Sequence, residues 1–337
     1  MRLIFRPWTY NILILVQSLL AAFLILLLVI KYDHGVLGFF IGSLTASFVV
    51  GIFGWFITRN YLDFKNLHFK WWPKLLRFGL PLVPAALCFY FMSSLDRWFI
   101  QHFHGADTLG LYAIGAKLSM FIVMGVEMFR KAWWPIAMDA MHGEDGPEVF
   151  RMISRFYLGL GVIMIIILTS ISPWLIKILA APLYHDAWPI VGILGWQSMF
   201  YGFFLIAAAG LTKVEKTYLY PILMGSALII GVIMNWFLIP KFGIIGAALA
   251  SAITYLVWIL VSMLVSERFW CIGLLNSTFF CQISLGILAC TLLLAPNINP
   301  TIRIICTITS IVFLTRISIE LEIFQLFKSK LRRIYKI

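Results

Sequence analysis

The sequence has few charged residues, very few acidic ones and little cysteine. Only 12% of its 337 residues are charged, with 14 Asp or Glu against 26 Lys or Arg. A soluble domain could not bury this much apolar surface, because 62% of the residues are hydrophobic and the mean hydropathy is +0.97. The five cysteines lie in apolar stretches without C-x-x-C spacing, so neither a disulfide framework nor a metal site is predicted.

Long apolar runs make up most of the chain. Residues 11–30 are apolar over about twenty positions with no alternation, which is typical of a helix that crosses a bilayer of about 30 Å. In lipid, a helix satisfies its own backbone hydrogen bonds. The sequence therefore predicts an all-α, polytopic transmembrane bundle of about ten helices. The predicted spans are 11–30, 36–57, 76–101, 111–130, 154–178, 188–211, 218–238, 244–265, 271–294 and 301–318.

The positions of Lys and Arg predict how the chain is oriented. With the N-terminus in the cytoplasm, twenty of the 26 Lys and Arg residues fall on the cytoplasmic side, four fall outside, and Arg97 and Lys117 lie within spans. This is the bias of the positive-inside rule, and it places both termini in the cytoplasm. The net charge of +12 then indicates topology and contact with anionic lipid headgroups, and no nucleic-acid partner is predicted.

Three charged residues are predicted to lie inside the membrane, in a hairpin over residues 76–130. Asp96 and Arg97 lie about ten residues before the predicted apex near 106–107, and Lys117 lies about ten after it, so Asp96 and Lys117 are expected to lie at matching depth, where they can pair. The pair could simply lock two helices together. Even then, Arg97 remains as a net positive charge that could bind an anion.

Two prolines, Pro81 and Pro84, lie in the inner half of the same span. Each lacks an N–H, so a bent helix is predicted there. Bent helices beside membrane charges often form the binding sites of transporters, although a bend can also serve packing alone.

Four more charged residues near the cytoplasmic ends of spans are secondary candidates. Glu127 and Arg130, three residues apart, indicate a local ion pair at the cytoplasmic mouth. Lys213 and Lys216 flank a tight inner turn, where they could contact a phosphate or a lipid headgroup, but positive-inside placement explains them equally well.

Two sequence segments resemble a known family. Residues 75–119 read LLRFGLPLVPAALCFYFMSSLDRWFIQHFHGADTLGLYAIGAKLS, and residues 235–255 read NWFLIPKFGIIGAALASAITY. Together they resemble the signatures of the polysaccharide-biosynthesis flippases, also called O-antigen translocases, of the multidrug/oligosaccharidyl-lipid/polysaccharide exporter superfamily. The matching positions are Gly79, Leu80, Pro81, Asp96, Arg97, Gly110, Tyr112, Ala116 and Lys117, with the Asn-x-x-Leu-Ile-Pro turn from Asn235.

The resemblance implies a fold of two six-helix lobes around a central cavity, often followed by two more helices. Residues 1–57 would supply the last two helices of the N-terminal lobe, and 58–75 a cytoplasmic linker. Residues 76–266 would form the C-terminal lobe, and 267–337 two additional helices and a basic cytoplasmic tail. About four family spans precede these, so the first lobe is expected to be incomplete and the chain to be a fragment or to need a partner, such as the missing N-terminal half.

The resemblance also implies a function without enzymatic chemistry or a cofactor. Such proteins flip an undecaprenyl-pyrophosphate-linked oligosaccharide across the bacterial inner membrane by alternating access. Arg97 and Lys117 would then bind the pyrophosphate and sugar in the cavity. Asp96 would orient them or bind a coupling H⁺ or Na⁺. Membrane lipids and other polysaccharide-assembly proteins are the further partners expected.

Three other functions are alternatives. A drug or cation antiporter of the same superfamily would carry more acidic groups in its cavity than this chain does. A polysaccharide polymerase or ligase would need a long outer loop with catalytic groups, whereas the outer loops hold one carboxylate each, at Asp33, Asp107 and Asp186. An inactive or partner-dependent fragment would lack the closed cavity.

Overall fold

The computed structural model describes residues 7–59, 72–295 and 300–319, and every regular element in these ranges is helical. This confirms the all-α class predicted from the sequence. The chain divides into two compact units, Met1–Trp72 and Pro73–Ile337. Most of the predicted linker at 58–75, and the basic tail beyond residue 319, lie outside the described residues.

Ten α-helices account for most of the described residues, with a π-helical turn after the first and a short 3₁₀ helix after the fifth. Their bounds are α1 (Pro7–Leu26), the π-helical turn (Leu27–Lys31), α2 (Gly35–Thr58), α3 (Trp72–Gly79), α4 (Leu82–His142), α5 (Gly146–Leu179), the 3₁₀ helix (Pro182–Ala187), α6 (Trp188–Ala207), α7 (Ala209–Lys213), α8 (Leu219–Glu267), α9 (Ser277–Leu294) and α10 (Pro300–Ile319).

Helices α1 and α2 form an antiparallel hairpin in the first unit. Gln17 donates a hydrogen bond from its amide to the Ser47 hydroxyl at 3.1 Å. Nearer the turn, Gly42 packs on Ile25 so closely that a Cβ atom on the glycine would lie 3.0 Å from the Ile25 nitrogen. Small residues let membrane helices approach in this way, because packing rather than the hydrophobic effect drives their association.

Two helices of the second unit fold back on themselves at a glycine. The backbone φ angle is +80° at Gly105 in α4 and +56° at Gly243 in α8, values that glycine adopts without strain. Tyr112 contacts Asp96, 16 residues away in sequence, although a straight helix would separate them by about 24 Å. Each of the two helices is therefore a hairpin.

Nine of the ten predicted membrane passes have a described helical segment long and apolar enough to cross a bilayer. Seven described stretches are long and apolar enough to cross a membrane, and α10 contains a shorter apolar segment. Two of the seven are the folded helices α4 and α8, which cross twice. Seven stretches and two extra passes give nine passes over the described residues, and α10 covers the tenth predicted span, 301–318, with an apolar segment that is shorter than a full pass.

The turns between spans are tighter than the sequence analysis predicted. Residues 102–110, which lie between the predicted spans 76–101 and 111–130, are helical except at Gly105. The polar residues 138–152 form the adjoining ends of α4 and α5, with only residues 143–145 between the two helices. A helix carries its own backbone hydrogen bonds beyond the hydrocarbon layer, where polar side chains face water. Polar composition therefore marks the edge of the membrane rather than the end of the helix.

Helix α6 lies in the core of the second unit, packed against α4, α5 and α8. It is apolar on all faces, as a fully buried helix is. Glycines allow its neighbours to approach closely: a Cβ atom on Gly192 would overlap Thr169 of α5, and one on Gly202 would overlap Tyr157 of α5 and Val126 of α4. Helices α9 and α10 cover the other side of α5, where Thr307 donates a hydrogen bond to the Ser170 hydroxyl at 2.8 Å.

Candidate functional site

A buried carboxylate lies inside the α4 hairpin. Asp96 is 5% exposed and accepts hydrogen bonds from the Tyr112 hydroxyl and, at 2.8 Å, from the backbone N–H of Arg97. The Ser251 hydroxyl, on α8, lies beside the same carboxylate. A charge in the membrane without partners costs at least ~2.5–3.5 kcal/mol. These three donors therefore provide the polar surroundings that a buried carboxylate requires.

Asp96 and Lys117 do not form the ion pair that their predicted matching depth would allow, and the prediction of matching depth is wrong. Both residues are described, and Lys117 is exposed and forms no ion pair with Asp96. The hairpin turns at Gly105, before the predicted apex, so Asp96 lies nine residues before the turn and Lys117 twelve after it. This difference displaces Lys117 by about 4.5 Å along the helix. Tyr112 occupies the position opposite Asp96 instead.

Polar atoms of the α8 hairpin lie at the same level. The space beside Gly231 is bordered by Thr254 and by Leu95, the residue before Asp96. One helical turn from Gly231, Asn235 donates a hydrogen bond to the Gly231 carbonyl at 2.7 Å, while its own side-chain oxygen is buried without a partner. A buried, unpaired acceptor costs about 1–3 kcal/mol. This oxygen therefore has the capacity to bind a cation or a proton donor.

Sequence analysis did not identify Tyr112, Ser251 or Asn235 as site residues. Asn235 and Ser251 lie eight residues before and after Gly243, so the fold of α8 brings them to one level. The available signal was the presence of polar side chains in apolar spans, which are rare and usually functional. Their partnership with Asp96 depends on two hairpins packing together, and no local pattern encodes that.

The two cations predicted as binding residues are accessible. Arg97 and Lys117 both have exposed side chains, and within the part of the chain that the structure describes neither forms an ion pair with a carboxylate. The Asp96 carboxylate accepts from the Arg97 backbone rather than from its guanidinium. Both cations are therefore available to an anionic ligand.

Glu127 and Arg130 form an ion pair at 2.6 Å, as their spacing indicates. Arg130 also donates to the Tyr201 hydroxyl and lies 4.7 Å from the centre of that ring. The Tyr201 ring stacks on Phe89 at 5.2 Å. Arg130 is thus held between α4 and α6 in a cation–π contact, the kind that gains strength away from water.

The secondary candidates Lys213 and Lys216 contact aromatic rings near the start of the loop that follows α8. The Lys213 ammonium lies 4.2 Å from the centre of the Trp270 ring, and the Lys216 ammonium lies 4.1 Å from that of Phe269. Each ring contacts one side of the lysine ammonium group. These contacts anchor the inner turn and leave the remaining N–H donors of each lysine open.

The helix is interrupted at Pro81, between α3 and α4. Helix α3 ends at Gly79, Leu80 and Pro81 form a turn, and α4 begins at Leu82. Pro84 lies in the first turn of α4, where its missing N–H has no partner to lose. The interruption separates α3 from the spanning part of α4, which carries Asp96 and Arg97.

Removing the Tyr112 hydroxyl should weaken the second unit. We expect Tyr112→Phe to lower the free energy of unfolding by about 2 kcal/mol, because a hydrogen bond to a charged group contributes roughly 1.5–3 kcal/mol. Thermal unfolding of the purified protein in detergent measures this. Tyr90→Phe is the matched control, since Tyr90 lies on the same helix and is 64% exposed. The double variant Asp96→Asn/Tyr112→Phe should show coupling, and additive effects of the two changes would contradict the contact.

Comparison with known proteins gives three similarities. Residues 9–141 match a protein-family model described as polysaccharide biosynthesis protein. A segment of 102 residues is 33% identical to "Lsg locus putative protein 1" of Haemophilus influenzae, covering 29% of this chain and 25% of that protein. The solved structure "Lipid II flippase MurJ, inward closed conformation" has a similar fold, with a TM-score of 0.57 and 16% identity over 89% of this chain and 66% of that one. The chain thus spans less than two thirds of both relatives.

Proposed function

With the predicted resemblance to the polysaccharide biosynthesis family confirmed over residues 9–141, we propose that this multi-pass membrane protein flips a lipid-linked oligosaccharide. The substrate is an undecaprenyl-pyrophosphate-linked sugar unit of an O-antigen, capsule or exopolysaccharide. The chain moves it from the inner to the outer leaflet of the bacterial inner membrane by alternating access, with both of its own termini in the cytoplasm.

The observation that carries this proposal is a pair of exposed cations on a hairpin that is predicted to span the membrane. Arg97 and Lys117 lie on the two arms of the α4 hairpin, exposed and without carboxylate partners among the described side chains. A bare charge facing hydrocarbon costs at least ~2.5–3.5 kcal/mol, so in this proposal the two side chains face a water-filled cavity. An arginine fork and a lysine together suit the oxygens of a pyrophosphate.

Asp96 supplies the coupling site in this proposal. Its carboxylate, the Ser251 hydroxyl and the unpartnered Asn235 oxygen belong to helical segments that meet at one level. Oxygen donors of this kind bind Na⁺, and a buried carboxylate can also take up H⁺. Binding of the ion would stabilise one conformation of the α4 and α8 hairpins over another. Transport would then depend on the ion gradient.

The chain acts as a transporter rather than an enzyme in this proposal. A polymerase or ligase needs an acid and a base close to one another. In the described residues the buried charged groups are Asp96 and Arg303, and they lie on different helices, α4 and α10. Asp96 is also the feature that a drug or cation antiporter would use, and the experiment below separates that function from flipping.

The test is complementation of a bacterium that lacks its own oligosaccharide flippase. Expression of the chain should restore surface polysaccharide, measured by immunoblot of cell-surface glycan. It should also reduce the lipid-linked oligosaccharide that accumulates in the inner leaflet. A vector without the gene is the control. Resistance to cationic drugs without recovery of polysaccharide would favour the antiporter, and no change in either measurement would contradict transport by this chain alone.

A further inference from the structure

A polar pocket, with a volume of about 340 Å³, lies in the second unit away from Asp96. It forms where α5 ends, the 3₁₀ helix turns and α10 begins, and α4 contributes no residue to it. The predicted orientation places this end of the unit outside the cytoplasm. Its polar and aromatic lining consists of Trp174, Lys177, His185, Asp186, Trp188 and Arg303.

Arg303 is the most unusual of these residues because it is a buried cation without an acidic partner among the residues that the structure describes. Its side chain is 7% exposed, and its guanidinium carbon lies 5.0 Å from the centre of the Trp188 ring. Asp186 also lines the pocket, but it forms no ion pair with Arg303 among the described residues. Buried charges are normally paired with an opposite charge. Arg303 therefore presents an unsatisfied positive charge to the pocket.

A second buried polar atom belongs to a residue that lines the same pocket. The Nε2 atom of His185 is buried and has no hydrogen-bond partner. Lys177, one turn from the end of α5, adds an exposed ammonium to the pocket wall. With Arg303 and Lys177 positive and Asp186 negative, the pocket is net cationic before His185 is counted. This combination suits an anion with several acceptor oxygens.

Two contacts hold the walls of the pocket in place. Thr307, one turn after Arg303, donates a hydrogen bond to Ser170 of α5 at 2.8 Å, which fixes α10 against α5. The Trp188 ring supports the guanidinium from one side. Arg303 is thus positioned in advance, so that little side-chain entropy would be lost when a ligand binds.

We propose that this pocket binds the phosphate group of an anionic ligand at the outer face of the membrane. The Arg303 fork grips two phosphate oxygens, Lys177 contacts a third, and His185 donates from Nε2. Two sources offer this group, an outer-leaflet phospholipid or a soluble phosphate. Ile178 and Leu179, beside Lys177, are 79% and 62% exposed, and they offer a surface along which the acyl chains of a lipid would lie. The site is independent of the proposed flipping of oligosaccharide.

Native mass spectrometry of the purified full chain tests this proposal. The protein is titrated with short-chain phosphatidylglycerol, and separately with glycerol phosphate, which has the same phosphate chemistry without acyl chains. We expect one saturable adduct, weakened at least fivefold in Arg303→Gln and about threefold in Lys177→Gln. Lys241→Gln removes another exposed cation near the turn of α8, and it should bind as the unsubstituted chain does.

The two ligands distinguish the sources of the phosphate. Binding of phosphatidylglycerol alone supports a lipid headgroup, and comparable binding of glycerol phosphate supports a soluble phosphate. Size-exclusion profiles check that each variant is folded. If Arg303→Gln does not fold, Lys177→Gln carries the test, because Lys177 is exposed. If the unsubstituted chain binds neither ligand, or if Arg303→Gln and Lys177→Gln bind as well as Lys241→Gln, the proposal is overturned.

Discussion

Arg97→Gln should reduce the surface polysaccharide restored by this chain at least tenfold. A charge-assisted contact contributes about 1.5–3 kcal/mol, and 1.4 kcal/mol corresponds to a factor of ten. Arg97 is exposed and its guanidinium has no ion pair among the described residues, so its loss should affect the ligand more than the fold. The measurement is the quantified cell-surface glycan of the complemented flippase-deficient strain, normalised to the amount of protein in the membrane.

Two variants control for charge and for expression. Arg97→Lys keeps the positive charge but loses the two-pronged geometry of the guanidinium, so partial activity is expected. Arg268→Gln removes another exposed cation, at the end of α8, and should leave the glycan unchanged. Full activity of Arg97→Gln at normal membrane levels would remove Arg97 from the proposed substrate site.

Gly202→Val should destabilise the second unit more than any other change considered for this chain. A Cβ atom at Gly202 would overlap the Tyr157 hydroxyl and a methyl group of Val126, and Tyr157 is already held by its hydrogen bond to the Met199 carbonyl at 2.8 Å. Overpacking a rigid core costs typically 1–3 kcal/mol and occasionally more. We expect a loss of about 3 kcal/mol, which corresponds to roughly 6–12 °C in the midpoint of thermal unfolding for a domain of this size.

The chain offers a matched control for this change. Gly225 also lies within a helix, α8, but a Cβ atom there would meet nothing within 4 Å. Gly225→Val carries the same cost of a β-branched residue in a helix without the overlap. Fluorescence-detected size exclusion after heating measures both variants in detergent. Equal midpoints for the two would show that the contact of α6 with α4 and α5 is not tight.

Hydropathy predicted the membrane passes because each span is a local property of about twenty residues. The i, i+3 spacing predicted the Glu127–Arg130 ion pair for the same reason, since neighbours on one helix are set by helical geometry. Asp96 does not pair with Lys117, because the partner of Asp96 depends on where the hairpin turns. Because the turn lies at Gly105, the partner of Asp96 is Tyr112 and not Lys117. Composition predicts the position of such a turn only to within a few residues.

The sequence by itself determined that this is a helical membrane protein and which segments are long and apolar enough to cross a bilayer. Each of these follows from the cost of placing polar groups in lipid, which acts on every segment separately. The tertiary structure alone decided that Asp96 meets Tyr112 and Ser251, and that Arg303 meets Trp188 beside Lys177 and His185. These partners are far apart in the chain, so packing between helices brings them together, and no single segment encodes it.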